Sequence, residues 1–369
     1  MNHFGLYTMA AFYIFSGINH FRIPRMYIKL IPPYFPKPKI LNIVSGILEI
    51  ILGLLCILRP SRDLASLGII ILLIAFLPVH FYMISARLEK FKSLPLWALI
   101  VRIPLQFVLM AWAALYAFPQ WGMLPHTHSF KKHSNVVYKK TLDQKISGDI
   151  YLPSEKHFDT AVVVIHGGSW SSRQGDMASI CEDLATQGYV TFNITYRLAP
   201  QNLYPKSVED SKDAITWFRS QAGKYNFNPE RIVVWGYSAG GHLALMAGFD
   251  SRLKILGIIA GGTPADFTLW PHSPIIKKYL GNTLQENQEL WREASPINHI
   301  SEKMPPAFLY HGENDHLVEP VQMFKLAEAL KIKSNKVSTL LIPYLGHVAV
   351  YLLSQTYFDS ALDFISHLD

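Results

Sequence analysis

Before residue 120 the chain carries four long apolar stretches, at roughly residues 4–18, 40–58, 64–86 and 94–118. They hold few ionisable residues: Glu49 lies in the second, His80 in the third and Arg102 in the fourth. A helix needs about 20 mostly apolar residues to cross the hydrocarbon core of a bilayer. The second to fourth stretches meet that length and the first is marginal. Lipid offers no hydrogen bonds to a backbone, so segments of this kind must satisfy their own amides as helices. The first stretch lacks the basic leader and small-residue cleavage site of a signal peptide. The chain is therefore expected to open with an α-helical transmembrane bundle of four spans, over residues 1–120.

Orientation follows from Lys and Arg in the short loops, which favour the cytoplasmic side. Arg22, Arg25, Lys29, Lys37 and Lys39 lie between the first two stretches, and Arg87, Lys90 and Lys92 between the last two. The other side has Arg59 and Arg62, then Lys131 and Lys132. Eight basic residues against four place both termini outside, and with them everything after residue 120. The expected location is a bacterial inner membrane, with the C-terminal part extracytoplasmic. The formal charge is +7, but no Lys/Arg block with interleaved aromatics occurs, so no nucleic-acid partner is expected. Cys56 and Cys181 have neither metal-ligand spacing nor the number for a disulfide framework.

His20, Glu49, His80 and Arg102 sit at or within the spans. Ionisable groups in lipid face a bundle interior or a cavity. They form either a polar site, for a proton, a quinone-like molecule or a lipid headgroup, or internal pairs that fix helix packing. The stretches GINHFRIP (17–24), SGILEIILG, PVHFYM (78–83) and RIPLQ (102–106) resemble four-helix membrane proteins of the DoxX type, over residues 5–118. Some members of that group are linked to redox systems, and no residue here identifies a redox centre.

Residues 118–135, FPQWGMLPHTHSFKKHSN, break the apolar pattern. Trp121 suits a membrane interface. His126, His128 and His133 lack supporting Cys or carboxylates, which favours a solvated tether over a metal site. The expected boundaries are a linker at 121–135 and a second domain at 136–369. There, continuous apolar strands alternate with helical patterns: VVYKKTL, ISGDIYLP, TAVVVIHGG, YVTFNITYR, RIVVWG, ILGIIAGG, AFLYHGEND and VSTLLIP. That order implies a doubly wound, mostly parallel α/β sheet covered on both faces.

Within this domain GYSAGG occupies residues 236–241. GYSAG fits G-x-S-x-G, in which a strand turns sharply into a helix and presents a strained serine. An apolar strand precedes it and a small-residue helix follows, so Ser238 is the candidate nucleophile. A serine hydroxyl needs an adjacent base. His347, in LIPYLGHVAV after the last strand, is the candidate; His242 is expected to be packed and His311 structural. Asp315 in HGENDHLV is the candidate acid that orients the imidazole, with Asp266 the alternative. HGGSW (166–170) ends a strand in glycines, and the backbone N–H groups of Gly168, Ser169 and Ala239 are the candidate oxyanion donors.

HGGSW, YRLAPQNLYPKSVEDSKDAITWF, NPERIVVWGYSAGGHLA, EASPINHI, HGENDHLV and Gly346–His347 together resemble α/β-hydrolases of the hormone-sensitive-lipase-like and feruloyl-esterase-like group, over residues 136–369. Ser169 stands where many relatives have a third glycine. The resemblance implies hydrolysis of carboxylic esters through an acyl-enzyme, with no metal or organic cofactor. A small ester and the bilayer are then the expected partners. An amide-cleaving relative (arylformamidase-like or peptidase-like) would use the same residues. A non-enzymatic membrane scaffold is the third reading. Residues 267–298 are expected to cap the pocket with Trp270, Tyr279, Leu280 and Trp291. Oligomeric state is not legible from the sequence.

Overall fold

The structure, a computed structural model, describes residues 3–58, 61–117, 130–155, 158–173 and 175–368. Two compact units divide the chain, Met1–His126 and Thr127–Asp369. The first contains α1 (His3–Arg22), the short α2 (Pro24–Leu30), α3 (Pro38–Ile57), α4 (Arg62–Ser85), the short α5 (Arg87–Lys90) and α6 (Leu96–Ala117). Helices α3, α4 and α6 are long and apolar enough to cross a membrane. Four such spans were expected, and α1 is not among these three. It has the length, at 20 residues, but Thr8, Ser16, Asn19 and His20 dilute its hydropathy.

Helix α1 nevertheless packs closely along α3. A Cβ on Gly17 would lie 2.6 Å from the Gly46 carbonyl oxygen, and one on Gly53 would lie 2.9 Å from that of Ala10. Small residues at such crossings let helix backbones approach. The unit's core is Leu6, Met9, Ala10, Tyr13, Cys56, Ala65, Ile69, Leu73, Ala113 and Tyr116. Its outward faces are also apolar: Leu54, Ile71, Phe107 and Val108 are at least half exposed.

The second unit is built on an eight-stranded sheet in the order β1-β2-β4-β3-β5-β6-β7-β8. The strands are β1 (Phe130–Lys140), β2 (Lys145–Pro153), β3 (Ala161–Ile165), β4 (Val190–Ile194), β5 (Ile232–Tyr237), β6 (Gly257–Gly261), β7 (Ala307–Gly312) and β8 (Val337–Ile342). Pairs β1–β2 and β2–β4 are antiparallel and the rest are parallel. The helices are α7 (Ala178–Gln187), α8 (Lys206–Ser220), α9 (Ala222–Tyr225), α10 (Ala239–Gly248), α11 (Pro274–Leu280), α12 (Gln288–Glu293), α13 (Val321–Ile332), α14 (His347–Leu352) and α15 (Phe358–Ser366).

Period-two alternation assigns the strand side chains to two cores. Ala161, Val163 and Ile165 of β3 pack with Ala214, Leu243 and Leu326 from α8, α10 and α13. Val162 and Val164 point the other way, to Cys181, Leu184, Val350 and Ala361 from α7, α14 and α15. Burial on both faces is why β3 and β5 read as unbroken apolar runs.

The linker boundary shifts. Strand β1 starts at Phe130 and pairs Phe130 with Pro153 and His133 with Ile150, so residues 130–135 belong to the sheet and not to a tether. An unbroken polar run, Lys131 to Asn135, on this edge strand hid it. Trp121, His126 and His128 lie outside the described residues. One ion-pair cluster braces the strand-to-helix connection. Arg197 grips the buried Asp210 of α8 through Nε and Nη2 at 2.7 and 2.8 Å, and Lys139 Nζ reaches the same carboxylate at 2.6 Å.

Candidate active site

Four segments meet beyond the carboxyl ends of neighbouring parallel strands, where open α/β sheets bind ligands. Residues 166–170 follow β3, Ser238 follows β5, Asp315 follows β7 and His347 follows β8. The turn at Ser238 explains its glycines. Ser238 has φ 57° and ψ −122°, outside the regions open to most side chains. A Cβ on Gly236 would lie 2.1 Å from the Gly240 oxygen, and one on Gly240 would lie 2.0 Å from the Ile165 oxygen. Ser238 N–H donates to the Gly261 carbonyl at 2.7 Å, which pins the strained residue to β6.

His347 Nε2 lies 2.9 Å from Ser238 Oγ, and its Nδ1 lies 2.6 Å from Asp315 Oδ2. Asp315 is buried. Its Oδ1 accepts from the Leu317 and Val318 N–H groups at 3.0 and 2.8 Å. Burial would raise its pKa, but hydrogen bonding to His311 and His347 outweighs that and holds the carboxyl well below its usual range. Tyr237 O–H donates to the His347 carbonyl at 2.7 Å, fixing the backbone that carries the imidazole.

The competing residues are occupied elsewhere. His242 is fully buried; its Nε2 lies 2.8 Å from the Ala294 carbonyl and its Nδ1 accepts from Trp170 Nε1 at 3.2 Å. Burial pushes its pKa down to about 3. Asp266 caps its own turn, accepting from Thr268 N–H at 3.0 Å and Thr268 Oγ1 at 2.6 Å. His311 is structural, as expected, but with a duty the sequence did not reveal. Its Nε2 sits 2.6 Å from the Val318 carbonyl and 3.3 Å from Asp315 Oδ2, so it braces the loop that carries the acid.

Ser169, Trp170, Ser238 and Ala239 line a cavity of about 510 Å³, within the range of small-molecule sites. Gly168 stands one residue behind the wall. Its φ is +108°, and a Cβ there would lie 2.2 Å from the Ser172 oxygen, so its glycine serves the turn. The far wall differs from the expected cap. Of the four cap residues only Trp270 faces the cavity, held by Nε1 donating to Glu319 Oε2 at 2.8 Å. Tyr279, Leu280 and Trp291 are buried, and Tyr279 stacks on Trp170 with centroids 4.4 Å apart. In α11 the i, i+3, i+4 spacing puts Ile276, Tyr279 and Leu280 on one core-facing side, with Ile276 at the border of that core and the cavity beside the more exposed Ile275, while Trp291 is buried from α12. His272 and His316 also line it; no motif marks His272, and His316 falls at an unspecified position of HGENDHLV, next to Asp315.

The candidate residues of the first unit also converge. Arg102 Nε donates to His80 Nδ1 at 3.2 Å, His20 Nε2 lies 3.5 Å from Glu49 Oε2, and all four line one cavity.

Comparison with known proteins agrees with this division. The BD-FAE family profile matches residues 148–330, and that of a domain of unknown function, DUF8561, matches residues 9–117. Esterase LipC of Mycobacterium tuberculosis is 29% identical over 213 residues, covering 50% of this chain and 52% of LipC. The probable carboxylic ester hydrolase LipM of the same organism is 31% identical over 184 residues, covering 43% of this chain and 41% of LipM. The chain thus spans about half the length of these relatives or less. A truncated carbohydrate esterase from gut microbiota superposes with TM-score 0.59 at 24% identity, covering 66% of this chain and 98% of that one. The second unit therefore has the α/β-hydrolase fold.

Proposed function

We propose that this protein is a serine hydrolase that cleaves small carboxylic esters through Ser238, His347 and Asp315. The observation that carries the reading is the unbroken chain from Ser238 Oγ to His347 Nε2 at 2.9 Å and from His347 Nδ1 to Asp315 at 2.6 Å. Ser238 Oγ attacks the ester carbonyl while its proton passes to His347 Nε2. Asp315 stabilises the imidazolium without taking the proton. The backbone N–H groups of Ser169 and Ala239, with that of Gly168 behind them, receive the oxyanion. Collapse expels the alcohol, which takes the proton from His347 and leaves an acyl-serine. Water attacks that ester, His347 accepts its proton, and the acid departs as Ser238 is reprotonated. No step requires a metal or organic cofactor. The esterase names of LipC and LipM support ester over amide bonds.

The first unit is read as the membrane anchor. Three apolar helices of spanning length support it, as does the apolar outer surface. The intimate α1–α3 packing and the DoxX-type likeness of residues 5–118 favour α1 as a fourth span. The distribution of basic loop residues favours a hydrolase unit outside the cytoplasm.

The test is hydrolysis of a short-chain p-nitrophenyl ester by the full-length protein beside Ser238→Ala. Turnover lost in the variant, together with fluorophosphonate labelling of the wild type alone, supports the reading. Equal turnover in both proteins removes Ser238 from the mechanism. Faster cleavage of an aryl formamide or peptide than of the ester moves the assignment to amide bonds. A folded wild type that neither turns over nor labels favours a binding role.

A further inference from the structure

The cavity of the first unit has a volume of about 490 Å³ and takes no part in the chemistry above. Most of its wall is apolar, including Phe76, Leu105 and Leu109. Two buried polar atoms on it have no hydrogen-bond partner among the described residues, Glu49 Oε2 and the Tyr13 hydroxyl. Glu49 and Tyr13 are 4% and 2% exposed. An unmet polar group in an apolar setting is costly, and two on one cavity mark it as a place where a polar group of a ligand would be stabilised.

The surrounding bonds define what that occupant carries. Asn42 Nδ2 donates to the His20 carbonyl at 3.0 Å, which fixes the amide and leaves its Oδ1 to accept from His20 Nδ1 at 3.0 Å. A neutral His20 then presents Nε2 as an acceptor. It faces Glu49 Oε2 at 3.5 Å, while Glu49 Oε1 already accepts from Ser16 Oγ at 3.2 Å. Glu49 Oε2, facing another acceptor, calls for a donor from the cavity. Tyr13 can give a hydrogen bond back, and a hydroxyl group satisfies both demands. A charged head fits less well, since Glu49 repels an anion and Arg102, also on the cavity, repels a cation.

We propose that the N-terminal helical unit binds an uncharged lipophile through a hydroxyl head, of the long-chain alcohol or alkylphenol class. The head lies among Glu49, His20 and Tyr13, and the chain runs along the apolar wall. This inference stands apart from the hydrolase reading and is tested without it.

The experiment is photolabelling of the full-length protein in lipid nanodiscs with a diazirine-bearing long-chain primary alcohol. Competitors are the parent alcohol, the alkane of equal length and the corresponding carboxylate. Expected is saturable labelling of peptides from α1 and α3, competed by the alcohol about tenfold better than by the other two, as loss of one or two hydrogen bonds predicts. Tyr13→Phe should weaken that competition about fivefold, the loss of one hydrogen bond. Glu49→Gln places an amide donor opposite His20 Nε2, closes the site from within and should weaken it likewise. Ser238→Ala should leave labelling unchanged. Equal competition by the alkane would mean a lipid-filled gap, and stronger competition by the carboxylate an anion site at Arg102; either overturns the proposal. Unchanged competition in Tyr13→Phe overturns it too. That variant deletes an unpaired buried hydroxyl and adds nothing, so it decides the matter even if Glu49→Gln fails to fold.

Discussion

Ser238 is held at positive φ by glycines that leave room for nothing else, with the His347 imidazole at its oxygen and the Asp315 carboxylate behind that ring. Its replacement by Ala should lower kcat for ester hydrolysis at least ~10³-fold with little change in thermal midpoint. Stopped assays on the two proteins, with melting curves alongside, check both parts. Two further histidines give the fold a pH dependence. Burial lowers the pKa of His166 to about 4 and of His242 to about 3, whereas an unfolded histidine titrates near about 6.5. Between these values the unfolded chain binds protons that the native state refuses. Stability should therefore rise with pH across that window and fall on acidification from about 6.5, by up to about 1.4 kcal/mol per pH unit per group. Asp315 acts in a lower range. Its depressed folded pKa gives stability that is present above the unfolded value near about 3.9 and is lost as pH falls through the folded one. Denaturation followed on the infrared band of the β-sheet, which the helical unit does not share, reads this out. A midpoint that stays flat from pH 7 to about 4.5 would contradict the histidine assignment.

At the scale of elements, the strand-to-helix turns carry the tightest constraints. Gly236→Ala places a Cβ on backbone atoms of the turn itself, which no rotamer change relieves. The substitution should destabilise the second unit by about 1–3 kcal/mol or more and abolish ester turnover, both measurable on one preparation. The Arg197–Asp210 pair anchors α8 to the strand end. Asp210→Ala leaves a guanidinium and an ammonium without their buried partner and should cost about 3–5 kcal/mol by thermal or urea denaturation. The motif YRLAPQNLYPKSVED was legible as a family feature, but its physical role was not. That role depends on a contact between residues 13 apart in sequence together with Lys139, 71 residues from Asp210. Strands β3, β5, β6 and β7 were legible because each is buried on both faces and reads as an apolar run, whereas β8 at the sheet edge is largely exposed. Short α11 and α12 were not legible, since their few apolar residues serve a local core and show no sustained period.

For the whole molecule, an anchor in the bilayer predicts that alkaline carbonate leaves the protein in the membrane pellet and detergent releases it. Release by carbonate would reduce the first unit to a peripheral one. The basic-loop asymmetry predicts that a C-terminal alkaline phosphatase fusion is active and a cytoplasm-only reporter silent; the reverse pattern would invert the topology. The sequence by itself determined the division into an apolar helical unit and an α/β unit, because hydrophobic period and run length are local properties. It also marked Ser238 as the candidate nucleophile, since a strained turn must be written in adjacent glycines. Only the tertiary structure decided what the distant residues do. It brought His347 to Ser238 across 109 residues of chain and to Asp315 across 32, because neighbouring parallel strands deliver their carboxyl ends to one edge. It set His311 under the acid and turned Tyr279 and Trp291 from the expected cap into the core. It also set Glu49 and Tyr13 on one cavity, because hydrogen-bond satisfaction depends on what surrounds an atom in space and not on its place in the chain.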